Sequence, residues 1–412
     1  MIVRPFHPAD REAVNALHAS VWWPERSDAG WDWLEANPAR IETGAPSGWV
    51  VADRDDRPVA FVGNLVQRFR LGEARFHAAS GFSIIVSRAA RGRARNLIRA
   101  VQGQPGVFAT YTLNANPGAA RLYPRQGLSP WPPRTHDLKL SWMVDPLELA
   151  QGRLLRTLAV RAPGLAAPHR EHFMNRRLRA RGLRRASAPG VEGVERLSDV
   201  GPGSDYDVFW RALADEGRLI ADRSPETMAW RLSDPDRTDA PVMLAWRAGD
   251  ETRGGGRRIG GYAMAMLAKT NPIEPASLEI IDLVALDDEP RAIPALMAEL
   301  MRQARALGAA KLRLQVVSED MLRRLGPWTR RARREGGWGH CWSSLRADAP
   351  PSQGWQPTPF DGDYGVCQRP TPLGPTPLGP TPLGRAPLGR ARYGVEDAPD
   401  QTGARTSSGR RV

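Results

Sequence analysis

One stretch around residue 120 constrains the fold of this 412-residue chain more than any other. An apolar segment at residues 107–113 (VFATYTL) precedes the sequence NPGAARLYPRQGL at residues 116–128. Asn116 can cap a helix because its side chain accepts from free amides of the first turn, and Pro117 suits that turn because it has no N–H to leave unpaired. Gly127 can end the element in a left-handed conformation. The pattern predicts a buried strand that runs directly into a short helix.

Tyr123 lies one to two turns into this predicted helix and, with Leu122, faces inward. A tyrosine hydroxyl held beside the end of a strand can donate a proton. The same spacing also fits a tyrosine that only fills the core. The residues alone leave both interpretations open.

Six positions carry a recognisable motif, namely Asn116, Ala119, Leu122, Tyr123, Gly127 and Leu128. The pattern Asn-x-x-Ala-x-x-Leu-Tyr, followed by a glycine and a hydrophobic residue, resembles the late motif of the GNAT superfamily, the acyl-CoA-dependent N-acyltransferases. This resemblance implies that Asn116 lies near the pantetheine arm of acyl-CoA. It also implies that Tyr123 protonates the leaving thiolate of coenzyme A.

A basic turn lies upstream of this motif. Residues 81–86 (GFSIIV) predict a buried strand, residues 87–94 (SRAARGRA) the turn, and Leu97, Ile98 and Val101 the apolar face of a helix. Free backbone amides at a helix start, together with the helix dipole, favour a bound anion. Taken alone, an arginine-rich turn also fits an ordinary solvated surface.

In the GNAT family the corresponding turn binds the pyrophosphate of acyl-CoA, with a pattern close to Arg-Gly-x-Gly-x-Gly. The residues of this chain at that turn are Arg91, Gly92, Arg93, Ala94, Arg95 and Asn96. Ala94 and Asn96 depart from the pattern, and the Asn96 side chain narrows the space for a phosphate, whereas the additional arginines supply charge-assisted hydrogen bonds. The resemblance implies that acetyl-CoA or another acyl-CoA binds here, and that amides near Ile85 and Val86 hold the acyl carbonyl.

The group that accepts a proton from the attacking amine is less defined. Glu73 and His77 precede the central strand, and Tyr111 lies on the next strand. A histidine of ordinary pKa can act as a base near neutral pH, although His77 also fits a partly buried structural role. Deprotonation by solvent, with Tyr123 as the acid, is a further alternative. The predicted catalytic residues are therefore Tyr123, His77 and Glu73.

The order of predicted elements extends the resemblance over residues 1–145, where a strand and helix precede several strands and a final strand at 137–144. Length alone favours two to three domains. A second set of strands, at 242–246, 259–267 and 278–286, leads into a helix at 290–307 and repeats this order. We therefore predict an α/β (α+β) fold with mixed sheets flanked by helices, in two tandem GNAT-like domains.

Four regions are expected: a GNAT-like acyl-CoA-binding domain at 1–148, a basic connector at 149–190, a second, degenerate domain at 191–348 and a disordered, Pro/Gly-rich tail at 349–412. Pro-Thr-Pro-Leu-Gly repeats in the tail favour extended, solvated chain and also fit a ligand for a partner domain. The connector fits either a solvated linker or a patch for anionic membranes or nucleic acid.

The second domain is called degenerate because Asp287-Asp288-Glu289 stands where the first has its arginine turn. At about 5 Å, two like charges repel by about 3 kcal/mol at an effective dielectric of about 20, so this position opposes a pyrophosphate. Residues 318–321 (SEDM) replace the Asn/Tyr motif. We expect a structural or substrate-side role for this domain.

The net charge of +13 suggests nucleic acid as a partner, but of the 58 basic residues only Lys139, Lys269 and Lys311 are lysines. Such arginine bias is typical of a GC-rich genome and implies no polyanionic partner. Two cysteines form no disulfide framework, which favours a reducing cytoplasm. No apolar run of about 18 residues predicts a membrane span. His169 and His172 have no third ligand nearby, so no metal site is predicted.

Together these features predict an N-acyltransferase, first of all an N-acetyltransferase, that acylates a small-molecule, sugar or peptide amine. A catalytically inactive GNAT-like binding or scaffold protein is the alternative, favoured by Ala94, Asn96 and the undefined base. An arginine-rich nucleic-acid-binding protein is the second alternative.

Overall fold

The computed structural model describes residues 1–21, 23, 25–115, 117–162, 186–237, 240–249, 258–268, 275–335, 340–351 and 354–366. These residues form a mixed α/β structure in which two mixed β-sheets are flanked by helices, which confirms the predicted fold class. None of the helices within these ranges is long and apolar enough to cross a membrane. Asn116, the pair His169 and His172, and the proline-rich repeats lie outside the described residues.

The strands are β1 (Ile2–Pro5), β2 (Gly48–Ala52), β3 (Pro58–Leu71), β4 (Ala74–Val86), β5 (Ala109–Ala115), β6 (Ser129–Pro130), β7 (Lys139–Met143), β8 (Val194–Arg196), β9 (Ile220–Ala221), β10 (Val242–Ala248), β11 (Arg258–Ala268), β12 (Ser277–Ala285), β13 (Lys311–Leu314), β14 (Arg333–Glu335) and β15 (His340–Leu345). The α-helices are α1 (Arg11–Ser20), α2 (Asp28–Glu35), α3 (Pro38–Thr43), α4 (Ala94–Gly103), α5 (Pro117–Ala120), α6 (Pro146–Arg161), α7 (Asp205–Ala214), α8 (Pro225–Leu232), α9 (Ala292–Ala306), α10 (Glu319–Arg324) and α11 (Pro327–Arg331). Short 3-10 turns lie at Pro8–Asp10, Arg88–Ala90, Pro124–Gln126 and Pro359–Asp361.

Within the described ranges the first sheet has the strand order β1-β2-β3-β4-β5-β15-β6, and β9 pairs with β3. Strands β4 and β5 are parallel, whereas β3 and β15 pair with them antiparallel. Helix α4 packs Leu97 and Val101 beside Val62 on one face. Helices α1 and α2 pack Val14 and Trp31 on the other face. Helices therefore cover both faces of this sheet.

The second sheet has the order β14-β7-β13-β12-β11-β10-β8. Its pair β12 and β13 is parallel and is connected through α9, as β4 and β5 are connected through α4. Ile293, Leu296 and Leu300 form a buried stripe along α9 at helical spacing and pack in the core of this sheet. The arrangement of a parallel pair with a connecting helix therefore occurs twice in the chain.

Two strands belong to a different sheet from the one that the predicted domain boundaries assign to them. Strand β7, expected to close the first sheet, pairs with β13 and β14 of the second. Its residues Leu140 and Trp142 pack in the second core. Strand β15 takes the place beside β5, where Cys341 and Trp342 are buried. Alternating apolar residues predict a strand but not the strand with which it pairs. The predicted domain boundaries at 148 and 348 therefore do not separate one sheet from the other.

The predicted disordered tail is wrong for residues 354–366. Trp355, Phe360 and Tyr364 of this segment have exposed fractions of 2%, 0% and 3%. Each buried aromatic side chain removes roughly 150–250 Å² from water, which is ample to order a short segment. The proline-rich repeats begin only at residue 370, so the composition of the repeats does not describe this part of the chain.

Helices α2 and α8 also join the parts of the chain that carry the two sheets. The rings of Trp33 and Trp230 stack with centroids 4.6 Å apart and planes 6° from parallel. The indole N–H of Trp33 donates to the carbonyl of Trp230 at 2.7 Å, and that of Trp230 donates to the carbonyl of Trp33 at 2.9 Å. This reciprocal pair leaves neither buried indole nitrogen without an acceptor.

Candidate functional site

The parallel ladder between β4 and β5 is short and ends at the pair Ser80 and Tyr111. Beyond it, β4 continues beside β3 to Val86, whereas β5 continues beside β15 to Ala115. The two strands therefore separate and leave a gap in the middle of the sheet. We call this gap, between residues 81–86 and 112–115, the strand opening.

A β-bulge on β4 accompanies the opening. The register with β3 advances from Ile85 to Phe82 on β4 while β3 advances only from Phe61 to Gly63. Ser83, inside this bulge, has φ 51°, which is uncommon for a residue with a side chain. A Cβ on Gly63 would lie 2.2 Å from the Phe82 ring, so glycine is required there. Such a bulge bends its strand, which accounts for the divergence of β4 from β5.

A pocket passes through the strand opening and is lined from both faces of the sheet. Ile98, Val101 and Gln102 of α4 line it on one side, together with Tyr123 and Leu128. The other side is formed by Trp23, Phe82, Tyr111 and Asp363. The three lining residues of α4 lie in the middle and C-terminal part of the helix, so a ligand bound at the start of this helix would run along it to reach the opening.

The predicted strand-to-helix motif is confirmed in its local structure. Strand β5 ends at Ala115, α5 follows, and Gly127 closes the segment with φ 78°. The amide of Leu128 donates to the carbonyl of Tyr123 at 3.1 Å. On α4, the side-chain amide of Gln102 donates to the carbonyl of Gln126 at 2.8 Å and ties the helix to this segment.

Tyr123 is buried, with an exposed fraction of 6%, and its ring centroid lies 6.3 Å from that of Trp342. Its hydroxyl shares a hydrogen bond with the side chain of Thr112. Burial raises the pKa of Tyr123 well above its usual value, and the negative charge of Asp363 raises it further. The hydroxyl therefore remains protonated at neutral pH and retains a proton inside the pocket. Tyr123 is thus both a core aromatic and a lining residue.

The arginine turn has the geometry of an anion site. The 3-10 turn at Arg88–Ala90 leads to Gly92, which has φ 85°, and α4 begins at Ala94. Among the described residues, the amides of Gly92, Ala94 and Arg95 have no acceptor. Free amides in the first turn of a helix are typical of phosphate-binding sites.

The side chains of this turn add positive charge. The exposed arginines are Arg88, Arg91, Arg93 and Arg95. None of them forms an ion pair with a carboxylate in the described part of the chain, whereas most buried or half-buried arginines elsewhere do. Ile85 and Val86 lie just before this turn, at the end of β4 where its edge towards β5 has no strand partner in the same ranges. The predicted cofactor residues Ile85 and Val86 therefore lead directly, along the chain, into the predicted cofactor residues of the arginine turn.

The corresponding turn before α9 has the opposite character. Arg258 binds Asp288 at 2.6 Å and Glu289 at 3.1 Å, and Arg218 binds Asp287 at 3.3 Å. The acidic turn is therefore neutralised by arginines from its own part of the chain. That the second sheet binds no pyrophosphate stays a prediction.

The structure does not bring His77 and Glu73 to the pocket. Nε2 of His77 lies 2.7 Å from Oε2 of Glu42, and Glu73 is exposed at the hairpin turn between β3 and β4. At about 3.3 Å per residue, His77 and Glu73 lie about 13 Å and about 26 Å from Gly81 along the strand. Neither residue lines the strand opening. His77 instead belongs to an ion-pair cluster with Glu42 and Arg68.

This cluster yields a prediction for stability in acid. Arg68 and His77 lower the pKa of Glu42 to about 2, with the hydrogen bond from Arg68 as the largest cause. A lowered folded-state pKa contributes stability above the unfolded value of about 4.5 and loses it as the pH falls towards 2. We expect Glu42→Gln to flatten the dependence of the free energy of unfolding on pH between 4.5 and 2. Urea unfolding at several pH values measures this slope; a slope equal to that of the wild type would contradict the assignment.

Asp363 is a charged residue of the pocket that the sequence did not indicate. It lies in the C-terminal segment 354–366 and has an exposed fraction of 2%. It lines the strand opening, and its charge acts on the hydroxyl of Tyr123. The signal available in the sequence was the presence of Trp355, Phe360 and Tyr364 within ten residues. Disordered segments contain few aromatic residues.

Comparison with known proteins gives only distant similarities. No family model and no curated protein matches this chain. It is similar to the solved structure of a conserved protein from Enterococcus faecalis V583, a probable N-acyltransferase, with 10% identity over 84% of this chain and 72% of that one and a TM-score of 0.46. It is also similar to a GCN5-related N-acetyltransferase from Kribbella flavida, with 14% identity over 84% and 70% of the two chains and a TM-score of 0.45. Values this low support no functional conclusion.

Proposed function

We infer that this protein is an acyl-CoA-dependent N-acyltransferase, with acetyl-CoA as the first donor to test and an amine as the acceptor. The observation that carries this conclusion is the strand opening with the protonated hydroxyl of Tyr123 inside it. A thioester needs an extended slot for its arm, a donor for its carbonyl and a proton for the leaving sulfur. The strand opening would provide all three: the slot for the arm, the donor for the carbonyl and the proton for the sulfur.

The donor would lie along α4. Its pyrophosphate would meet the free amides and the guanidinium groups of the arginine turn, where both the helix dipole and the charge are favourable. The pantetheine arm would follow α4 into the strand opening. A backbone amide at Ile85 or Val86, on the edge of β4 that has no strand partner among the described residues, would donate to the acyl carbonyl. Tyr123 would then donate its proton to the sulfur as the carbon–sulfur bond breaks.

A binding protein without catalysis is the second candidate, favoured by the side chains of Ala94 and Asn96 in the first turn of α4. Asn96 donates its amide to the carbonyl of Arg93 at 2.9 Å and so offers no free amide of its own. Both candidates share the binding of acyl-CoA and differ in turnover. In either case the amine that the site faces belongs to a small molecule, a sugar or a peptide.

Calorimetric titration of acetyl-CoA into the full chain tests the binding step. We expect Arg91→Ala to raise the Kd by about 10- to 100-fold, because a lost charge-assisted hydrogen bond costs about 1.5–3 kcal/mol. Arg330→Ala, which removes an exposed arginine from α11, provides the matched control and is expected to bind as the wild type does. A chain that binds no acyl-CoA would refute the proposed function.

A further inference from the structure

The C-terminal segment 354–366 lies beside the strand opening on the face opposite α4 and contributes Asp363 to its lining. The hydroxyl of Tyr111 on β5 donates to the carbonyl of Asp361. The hydroxyl of Tyr364 donates back to the carbonyl of Leu113 on β5 at 2.9 Å. Asp363 lies between these two attachments, so its position relative to β5 is defined from both sides.

The next residues of the segment are attached on the same face. Val366 packs with Phe82 and Trp31 in the core that α1 and α2 cover. The guanidinium of Arg26 donates to the carbonyl of Val366 at 2.8 Å. The segment therefore lies across the opening from β5 to the core below Phe82, and it forms the wall that an acceptor would meet.

Among the described residues, this wall carries one formal charge. Of the described residues that line the pocket, Asp363 is the single carboxylate, and none is an arginine, lysine or histidine. Its neighbours on this face are the aromatic side chains of Trp23, Phe82 and Tyr111. An aromatic wall with one buried carboxylate suits a cation attached to an apolar body.

On the basis of the proposed function, we propose that Asp363 binds the ammonium group of the acceptor and takes its proton, and that the acceptor is a primary amine with an apolar or aromatic body and no carboxylate. The ammonium gives one proton to Asp363, which passes it to solvent. The neutral nitrogen forms the amide bond to the acyl carbon, and the carbon–sulfur bond breaks. Tyr123 protonates the sulfur and regains a proton from the nitrogen, so the products are the amide, free coenzyme A and one proton.

The same wall argues against two other classes of amine. The carboxylate of an amino acid would enter the pocket beside Asp363 and meet no cationic side chain among the described lining residues, and a buried charge without a partner is strongly disfavoured. A polyamine would bring further ammonium groups to a wall that offers a single carboxylate. The wall would therefore discriminate among amines by their charge.

Steady-state acylation with acetyl-CoA tests the proposal by comparing 2-phenylethylamine with phenylalanine, which adds only a carboxylate. We expect kcat/KM for 2-phenylethylamine to exceed that for phenylalanine by about 100-fold. Phenylalaninamide, in which the carboxylate is replaced by a neutral amide, is expected to be accepted at least tenfold better than phenylalanine. Spermidine is expected to react as poorly as phenylalanine.

Variants of Asp363 test its role. We expect Asp363→Asn to lower kcat/KM for 2-phenylethylamine by about 100-fold, and Asp363→Glu to retain more of it because the carboxylate is kept. Asp348→Asn, an exposed aspartate before the same segment, is the control and is expected to match the wild type. Acetyl-CoA affinity unchanged within about twofold shows that each variant is folded and keeps its donor site.

The outcomes separate this proposal from the proposed function. If acetyl-CoA binds and phenylalanine reacts as fast as 2-phenylethylamine, or no amine of the panel reacts, the acceptor class is wrong while the donor site stands. If Asp363→Asn acylates 2-phenylethylamine at the wild-type rate, the role of Asp363 is wrong. If no acyl-CoA binds to the wild type, both proposals fall.

Discussion

Replacing Tyr123 by phenylalanine is expected to lower kcat for acyl transfer by about 100-fold or more, while the Kd for acetyl-CoA changes by less than about threefold. The hydroxyl provides the proton for the leaving sulfur, and burial together with the charge of Asp363 keeps it protonated. The ring itself fills the core beside Trp342 and is retained in phenylalanine. A spectrophotometric assay of thiol release measures kcat, and calorimetry measures the Kd.

Tyr206→Phe is the matched control for the loss of a buried tyrosine hydroxyl. Tyr206 is fully buried, and its hydroxyl donates to the carbonyl of Arg223 at 2.8 Å, away from the pocket lining. This variant is expected to lose about 1 kcal/mol of stability and to keep its kcat. If Tyr123→Phe keeps its kcat as well, Tyr123 is a core aromatic and the proton comes from elsewhere.

Replacing Arg223 by methionine is expected to lower the free energy of unfolding by about 3–5 kcal/mol. Arg223 has an exposed fraction of 1%. Its Nε lies 2.7 Å from Oδ2 of Asp282 on β12, and its Nη2 lies 2.8 Å from Oδ1 of Asp361. Nη2 also donates to Oγ1 of Thr358 at 2.9 Å. The variant would leave two buried carboxylates close together with no cation between them.

The loss should depend on pH. Burial raises the pKa of Asp361 above its usual value even beside Arg223, and without the guanidinium it should rise further. A carboxyl whose folded-state pKa exceeds its unfolded value binds more protons when folded, so stability falls as the pH rises between these two values. We therefore expect a larger deficit for Arg223→Met at pH 8 than at pH 5, measured by urea unfolding.

Two further variants define the origin of that loss. Arg258→Met removes an arginine that also binds two carboxylates but is half exposed, so it is expected to cost less than about 1 kcal/mol. Adding Asp282→Asn and Asp361→Asn to Arg223→Met is expected to recover part of the stability, because the uncompensated charges are removed. An equal loss from Arg223→Met and Arg258→Met would contradict the buried network as the origin.

The buried ion-pair network around Arg223 also holds the segment that contributes Asp363 to the pocket. Asp361 is two residues from Asp363, and the ion pair with Arg223 attaches its turn to β12 of the second sheet. Arg231 of α8 adds a hydrogen bond from Nη2 to the carbonyl of Phe360 at 3.0 Å. The second sheet therefore acts as a support that holds the C-terminal segment against the strand opening.

Much of the local structure could be predicted because its causes lie within a few residues. Helix α8 begins at Pro225, where the hydroxyl of Ser224 accepts from the amide of Thr227 as the capping pattern predicted. Gly127 adopts the left-handed conformation that its position required. Caps, turns and periodicity act over one or two turns of chain, so these elements follow from the residues around them.

Partners between distant segments could not be predicted in the same way. Strand β7 has the alternation of a closing strand, and that alternation fits the edge of either sheet. Packing of Leu140 and Trp142 in the second core decided the pairing. His77, a candidate base, lies on β4 but far from the opening, because a strand extends about 3.3 Å per residue and separates its ends.

The sequence alone determined the strand-to-helix motif with Tyr123, the arginine turn and the acidic turn that replaces it before α9. Each depends on residue types at fixed local spacing, and backbone geometry converts such spacing directly into structure. Only the tertiary structure decided which strand completes each sheet and that Asp363 joins Tyr123 in one pocket. These outcomes depend on contacts between segments far apart in the chain, which form where burial and charge pairing are most favourable over the whole molecule.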